Sequence, residues 1–213
     1  MTKGATPVNW RWPALALAVL LATAMGLILA GRQQTVPGAS PAGGDFTLLS
    51  ADGPMDTRTL RGQVVLLFFG YTFCPDICPT SLTATAQALN RLTPTERSRV
   101  RTLFVSVDPE RDTPQQLKQY AAFFHPDIVG VTGSPQQIAE VAGRYGVIYV
   151  RQDRDKAEGY SVDHSTWTYV LASDGRLAGR ITHGSTPDQI VAEIRKWLPA
   201  AAAPSTPADK GNP

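Results

Sequence analysis

The chain has 213 residues, 43% of them hydrophobic and 18% charged, which is enough for one domain with a real core plus appendages. Its formal net charge is +2, with basic and acidic residues interspersed, so no run of like charge marks a nucleic-acid surface or a strongly acidic partner. The only two cysteines, Cys74 and Cys78, are close in sequence and raise the questions of compartment and chemistry together.

Residues 1–12 read as a short cytoplasmic N-terminus carrying Lys3 and Arg11. Residues 13–30 (PALALAVLLATAMGLILA) have no charged side chain and match the roughly 17 to 25 residues a membrane helix needs. Trp10 and Trp12 stand where interfacial aromatics belong, and the basic residues before the span place the rest of the chain outside the cytoplasm, in the periplasm or an equivalent compartment. Ala22-Thr23-Ala24 resembles a signal-peptide cleavage site, but the apolar run continues to Ala30 and favours an uncleaved anchor. In either case the cysteines face a space where thiols can be oxidised. Residues 31–44 form a Pro/Gly/Ser-containing linker that, if flexible, would average roughly 20 Å end to end.

The domain is expected over 45–198. Strands are read at 46–49, 64–69, 102–107, 128–132, 146–150, 166–172 and 177–182 from short apolar or alternating runs bounded by turn residues. Ser173-Asp174-Gly175-Arg176 joins the last two as a hairpin. Four capping boxes, at Thr93, Thr113, Ser134 and Thr186, each place a proline at the first helical position and Glu or Gln at the third. Three of them open helices with apolar faces: Leu117, Tyr120, Ala121 and Phe124; Ile138, Val141, Ala142 and Tyr145; Ile190, Val191, Ile194 and Trp197. The box at Thr93 starts one short turn, and a further helix follows Pro79 with Leu82, Ala86 and Leu89 inward. Strands alternating with helices, then a hairpin and a final helix, imply an α/β fold: a thioredoxin-like mixed sheet with helices on both faces, behind an N-terminal transmembrane anchor helix. The tail 199–213, rich in Ala and Pro, has nothing to bury and is expected to be disordered.

Cys74 and Cys78 sit in Phe73-Cys74-Pro75-Asp76-Ile77-Cys78-Pro79, directly after the apolar strand 64–69, so both thiols belong to a strand-to-helix corner. Each precedes a proline, which disfavours helical backbone; the expectation is a loop, with Cys78 as N-cap of a helix starting at Pro79. A thiolate at a helix N-terminus is favoured by the exposed amides. Three chemistries compete. A structural disulfide closing so small a loop would stabilise little. Redox exchange would cycle the pair against another protein. Two soft thiolates suit monovalent copper better than hard ions, whereas a structural zinc site wants four ligands and the three histidines do not pair at short spacing. His125 ends a helix, His183 follows the last strand, and His164 stands before the strand 166–172; residue chemistry alone leaves the third ligand open among them.

Three motifs in this order, Gly70-Tyr71-Thr72-Phe73-Cys74-Pro75-Asp76-Ile77-Cys78-Pro79, Ser106-Val107-Asp108-Pro109-Glu110-Arg111-Asp112-Thr113-Pro114 and Asp163-His164-Ser165, resemble the Sco/SenC family of cytochrome c oxidase assembly proteins. The likeness covers residues 44–198. It implies one copper ion per domain, held by Cys74, Cys78 and His164, with the cysteines also a redox-active disulfide. It further implies a copper donor protein, a copper-receiving oxidase subunit carrying the dinuclear site, and a partner-facing acidic loop at Asp108 and Asp112. For the two aspartates a plain alternative stands beside that role: Asp108 ends a strand, and Asp112 supplies negative charge to a helix start. Copper(I) fits two thiolates and one imidazole, and copper(II) is conceivable because imidazole suits it. The expected function is copper delivery to the oxidase. The rival is thiol-disulfide exchange, which needs both cysteines but gives His164 no special part; a peroxidase of the same fold is a weaker third reading.

Overall fold

This computed structural model describes residues 41–153 and 159–198, with Leu20, Leu21 and Thr23. Apart from those three helical residues, the expected anchor at 13–30 lies outside the described residues, as do 1–12, most of the linker and the tail 199–213. Among the described residues no helix is long and apolar enough to cross a membrane.

The domain runs β1 (Thr47–Ser50), β2 (Gly53–Asp56), a 3-10 turn (Thr57–Leu60), β3 (Val64–Gly70), α1 (Ile77–Arg91), α2 (Pro94–Arg97), β4 (Val100–Ser106), α3 (Pro114–Phe124), β5 (Ile128–Val131), α4 (Pro135–Tyr145), β6 (Tyr149–Asp153), β7 (Tyr160–His164), β8 (Thr168–Leu171), β9 (Leu177–Ile181) and α5 (Pro187–Trp197). The main sheet has five strands in the order β5-β4-β3-β8-β9. β3 is parallel to β4 and antiparallel to β8, which makes the sheet mixed. Every residue of β3 is buried. A strand with no solvent face needs cover on both sides. Leu82, Leu89, Leu117 and Ile190 of α1, α3 and α5 pack with Val64, Leu66 and Phe68 on one side, while Ile138 and Val141 of α4 pack with Val65, Leu67 and Phe69 on the other.

All four capping boxes form, each with both reciprocal hydrogen bonds and a proline in the first turn. Residues 173–176 close the β8–β9 hairpin, where Gly175 takes φ 85°. The strand expected at 146–150 begins instead at Tyr149, because Gly146 ends α4 in the left-handed conformation, φ 66°. Pro41–Gly44 already belong to the domain: the Gly43 N–H donates to the Arg144 carbonyl and the Tyr145 hydroxyl to that of Gly44.

Two features escaped the sequence reading. β1 and β2 form a small hairpin, and β6 pairs antiparallel with β7 as a second two-stranded unit, with Tyr149 opposite His164. His164 is therefore the last residue of β7 rather than the entrance to the strand at Thr168. The other correction concerns Cys78. α1 begins at Ile77 with Asp76 at the N-cap, so Cys78 lies inside the first turn. Pro79 does not prevent this, since an N–H in the first helical turn has no intrahelical acceptor to lose.

Candidate metal centre

β3 ends at Gly70, and the chain crosses from Tyr71 to Asp76 before α1 starts. That crossing leaves Cys74 half-buried, while helical backbone turns Cys78 inward, where it is wholly buried. Gly70 is required by a close approach: a β-carbon there would lie 2.4 Å from the Cys78 sulfur. The two sulfurs are not bonded to each other.

The third group arrives from the β6–β7 hairpin. His164 Nε2 stands 3.4 Å from Cys78 Sγ, and the ligand atoms of Cys74, Cys78 and His164 all lie within 4.8 Å of one another. The ring packs edge-on against Phe68 and Tyr71, with centroids at 6.1 and 5.9 Å. Its Nδ1 is 3.0 Å from the Ser165 carbonyl oxygen. A carbonyl only accepts, so Nδ1 carries a hydrogen, and Nε2 is the ring nitrogen turned toward the sulfurs. The open cleft in front measures ≈ 280 Å³ and is lined by Tyr71, Cys74, Pro75, Ile77, Val162 and His164, among others.

The two thiols are unequal. A hydrogen bond from Cys78, opposed by burial and helped by His164, holds the Cys74 thiol well below the ordinary range. Burial, then the neighbouring Cys74, pushes Cys78 well above it. The half-buried sulfur is thus the more acidic of the two, and a metal held by both would have to displace the proton of the buried one.

The other sequence candidates lie elsewhere. His125 is buried at the end of α3 and its Nδ1 accepts the Asp127 N–H. His183 is exposed, with Nδ1 2.9 Å from the Ser81 hydroxyl. Asp108 and Asp112, expected on a partner-facing loop or else in a structural part, are 4% and 1% exposed, while Glu110 between them is exposed. Asp112 accepts from the Thr72 N–H, the Thr72 hydroxyl and the Ser106 hydroxyl. Asp108 pairs with Arg111 and accepts from the Tyr160 hydroxyl. Buried carboxylates persist only with such partners. Sequence reasoning missed Arg111 and Tyr160; a basic and an aromatic residue 49 positions apart carry no local signal.

The SCO1/SenC family model matches residues 34–199. A mitochondrial SCO2 homolog from Bos taurus is 39% identical over 176 residues, covering 80% of this chain and 66% of its own length. The chain thus spans just under two thirds of that relative. The structure of Bradyrhizobium japonicum ScoI with copper bound superposes with a TM-score of 0.68 at 36% identity, covering 74% of this chain and 99% of that one. Yeast Sco1 with copper bound gives 0.67 at 29% identity, covering 76% and 90%. The thioredoxin-like α/β architecture and the Cys-Cys-His group able to hold one copper ion agree with these likenesses. The chain belongs to the SCO1/SenC family.

Proposed function

We propose that this protein is a membrane-anchored copper metallochaperone that carries one copper ion on Cys74, Cys78 and His164 and delivers it to the dinuclear copper site of cytochrome c oxidase. The observation that carries this reading is the convergence of two sulfurs and Nε2 within 4.8 Å at a cleft open to solvent. Two thiolates and one imidazole make a soft, three-coordinate set suited to copper(I). Low coordination at an open cleft lets a ligand from the acceptor attack the metal and share it before the donor ligands leave, so the ion need not pass through water. Oxidation of the two cysteines to a disulfide would remove both sulfur ligands, so loading requires the reduced pair.

Residues 13–30 supply the anchor in this reading, residues 31–40 the tether, and the domain faces the periplasm or its equivalent. The test is anaerobic copper(I) titration of the reduced full-length protein against a competing chelator, beside His164→Ala. One tightly bound ion, weakened sharply in the variant, is expected. Affinity indifferent to His164 would sink the three-ligand site.

Thiol-disulfide exchange is the second reading, favoured by the asymmetry of the pair: a half-exposed thiolate at Cys74 backed by a buried thiol at Cys78. In that reaction the Cys74 thiolate attacks a partner disulfide and expels one partner thiolate. Cys78 then attacks the mixed disulfide and releases the second, leaving Cys74 and Cys78 oxidised and the partner reduced. Turnover of a protein disulfide that persists with copper chelated and in His164→Ala would favour it.

A further inference from the structure

The thiols and the imidazole are carried by separate pieces of the fold. Cys74 and Cys78 hang from β3 of the main sheet, whereas His164 ends β7. Among the described residues β6 and β7 form a ladder only with each other. The gap between the two halves of the centre is therefore set by contacts other than sheet hydrogen bonds.

The turn between β4 and α3 touches both halves. On the thiol side, Asp112 receives the Thr72 N–H at 3.1 Å and its hydroxyl at 2.6 Å, two residues before Cys74. The Arg111 guanidinium lies 4.7 Å from the ring centroid of Phe73, the residue next to Cys74. On the hairpin side, the same guanidinium lies 3.6 Å from the Tyr160 ring centroid and donates through Nη1 to the Tyr160 carbonyl at 2.9 Å. The Tyr160 hydroxyl donates to Asp108 at 2.7 Å, and Asp108 is ion-paired to Arg111. Ser106 joins the Asp112 carboxylate to the Asp108 backbone, donating to Asp112 at 2.7 Å and accepting the Asp108 N–H at 3.0 Å.

We propose that this turn is a brace that fixes the separation between the His164 imidazole and the two sulfurs, with Arg111 and Tyr160 as positioning residues for copper binding. Arginine suits the place: a planar guanidinium stacks against aromatic rings while its edge makes hydrogen bonds, which a lysine ammonium cannot reproduce. The inference rests on the three-ligand copper reading, and it assigns Arg111 and Tyr160 an effect that acts only through His164. Groups bonded directly to a metal ligand are worth about 10- to 100-fold in affinity, and Arg111 and Tyr160, one contact further out, belong at the lower end of that range.

The experiment is a double-mutant cycle on copper(I) affinity of the reduced full-length protein, using wild type, Arg111→Ala, His164→Ala and the combination. Arg111→Ala is expected to weaken copper(I) by about tenfold when His164 is present and to change it little in the His164→Ala background. An equal loss in both backgrounds, or no loss in either, overturns the brace. If His164→Ala itself leaves affinity unchanged, the three-ligand reading fails instead, so the two failures are distinct. Tyr160→Phe keeps the stacked ring but loses the bond to Asp108. It enters the same cycle in place of Arg111→Ala if circular dichroism shows that the alanine variant does not fold, and it is judged by the same two outcomes.

Discussion

Gly70 and Cys78 are in contact across the corner of β3 and α1, so closely that a β-carbon on Gly70 would sit 2.4 Å from the Cys78 sulfur and 2.8 Å from the Phe104 ring. Gly70→Ala must therefore push the sulfur or the ring aside. Overpacking of this kind costs about 1–3 kcal/mol. Chemical denaturation is expected to show that loss, and copper(I) affinity should fall as well, because the displaced atom is a proposed ligand. Unchanged affinity in a folded Gly70→Ala protein would mean that the sulfur position matters less than its chemistry.

Cys74 should behave as a thiolate at neutral pH. Its thiol is held well below the usual range by the Cys78 hydrogen bond, so the reactive form persists on acidification. Alkylation of the reduced protein by iodoacetamide is expected at Cys74, with Cys78 protected by burial, and to keep its rate at pH about 6, where an ordinary thiol of pKa about 8.5 has lost nearly all thiolate. In Cys78→Ala the donor is gone, and the midpoint of the Cys74 rate profile should move to higher pH. Mass spectrometry of the labelled peptide reads both effects.

Glu96 ties α2 to α5. It receives Arg195 at 2.7 and 3.1 Å and also caps its own helix through the Thr93 N–H at 2.9 Å. These bonds, the Arg195 one foremost, lower its carboxyl from 4.5 to about 2. A folded-state value below the unfolded one gives stability that is fully present above the unfolded value and lost as pH falls through the folded one. The melting temperature of wild type should therefore exceed that of Glu96→Gln at neutral pH, with the gap closing as pH drops from about 4.5 toward 2. A gap independent of pH would show that the charge is immaterial.

Asp112→Ala should leave three donors without an acceptor: the Thr72 N–H, the Thr72 hydroxyl and the Ser106 hydroxyl. Orphaned buried groups cost about 1–3 kcal/mol each where water cannot reach them. The expected result in urea denaturation is a clearly lower midpoint, and hydrogen exchange at Thr72 should accelerate.

The parts of the fold written in local chemistry were legible in advance. Each of the four boxes carries its own cap, proline and return side chain, so the helices at Pro114, Pro135 and Pro187 begin where residue types dictate. β3 announces itself as an unbroken apolar run because both its faces are covered. β7 does not. Tyr160-Ser161-Val162-Asp163-His164 has one fully buried apolar residue, Val162, and its strand character comes from pairing with β6. The Cys-Cys-His set was proposed through family likeness, since histidine chemistry alone left three candidates; the structure places His164 beside the sulfurs and the other two elsewhere. The inward turn of Asp108 and Asp112 depends on Arg111, Tyr160, Thr72 and Ser106 converging from distant segments, a relation that no spacing encodes.

The two-stranded pairing of β6 with β7 gives the centre unequal footings. β3 is enclosed on both faces within the five-stranded ladder, while the β6–β7 hairpin is held to the domain by side chains: Val162 is buried in the core and its N–H donates to the Tyr71 hydroxyl. The imidazole thus depends for its place on side-chain contacts, whereas the sulfurs follow a strand paired along both edges. Residues far from His164 in sequence can therefore shift the nitrogen relative to the sulfurs without altering the strand that carries the thiols.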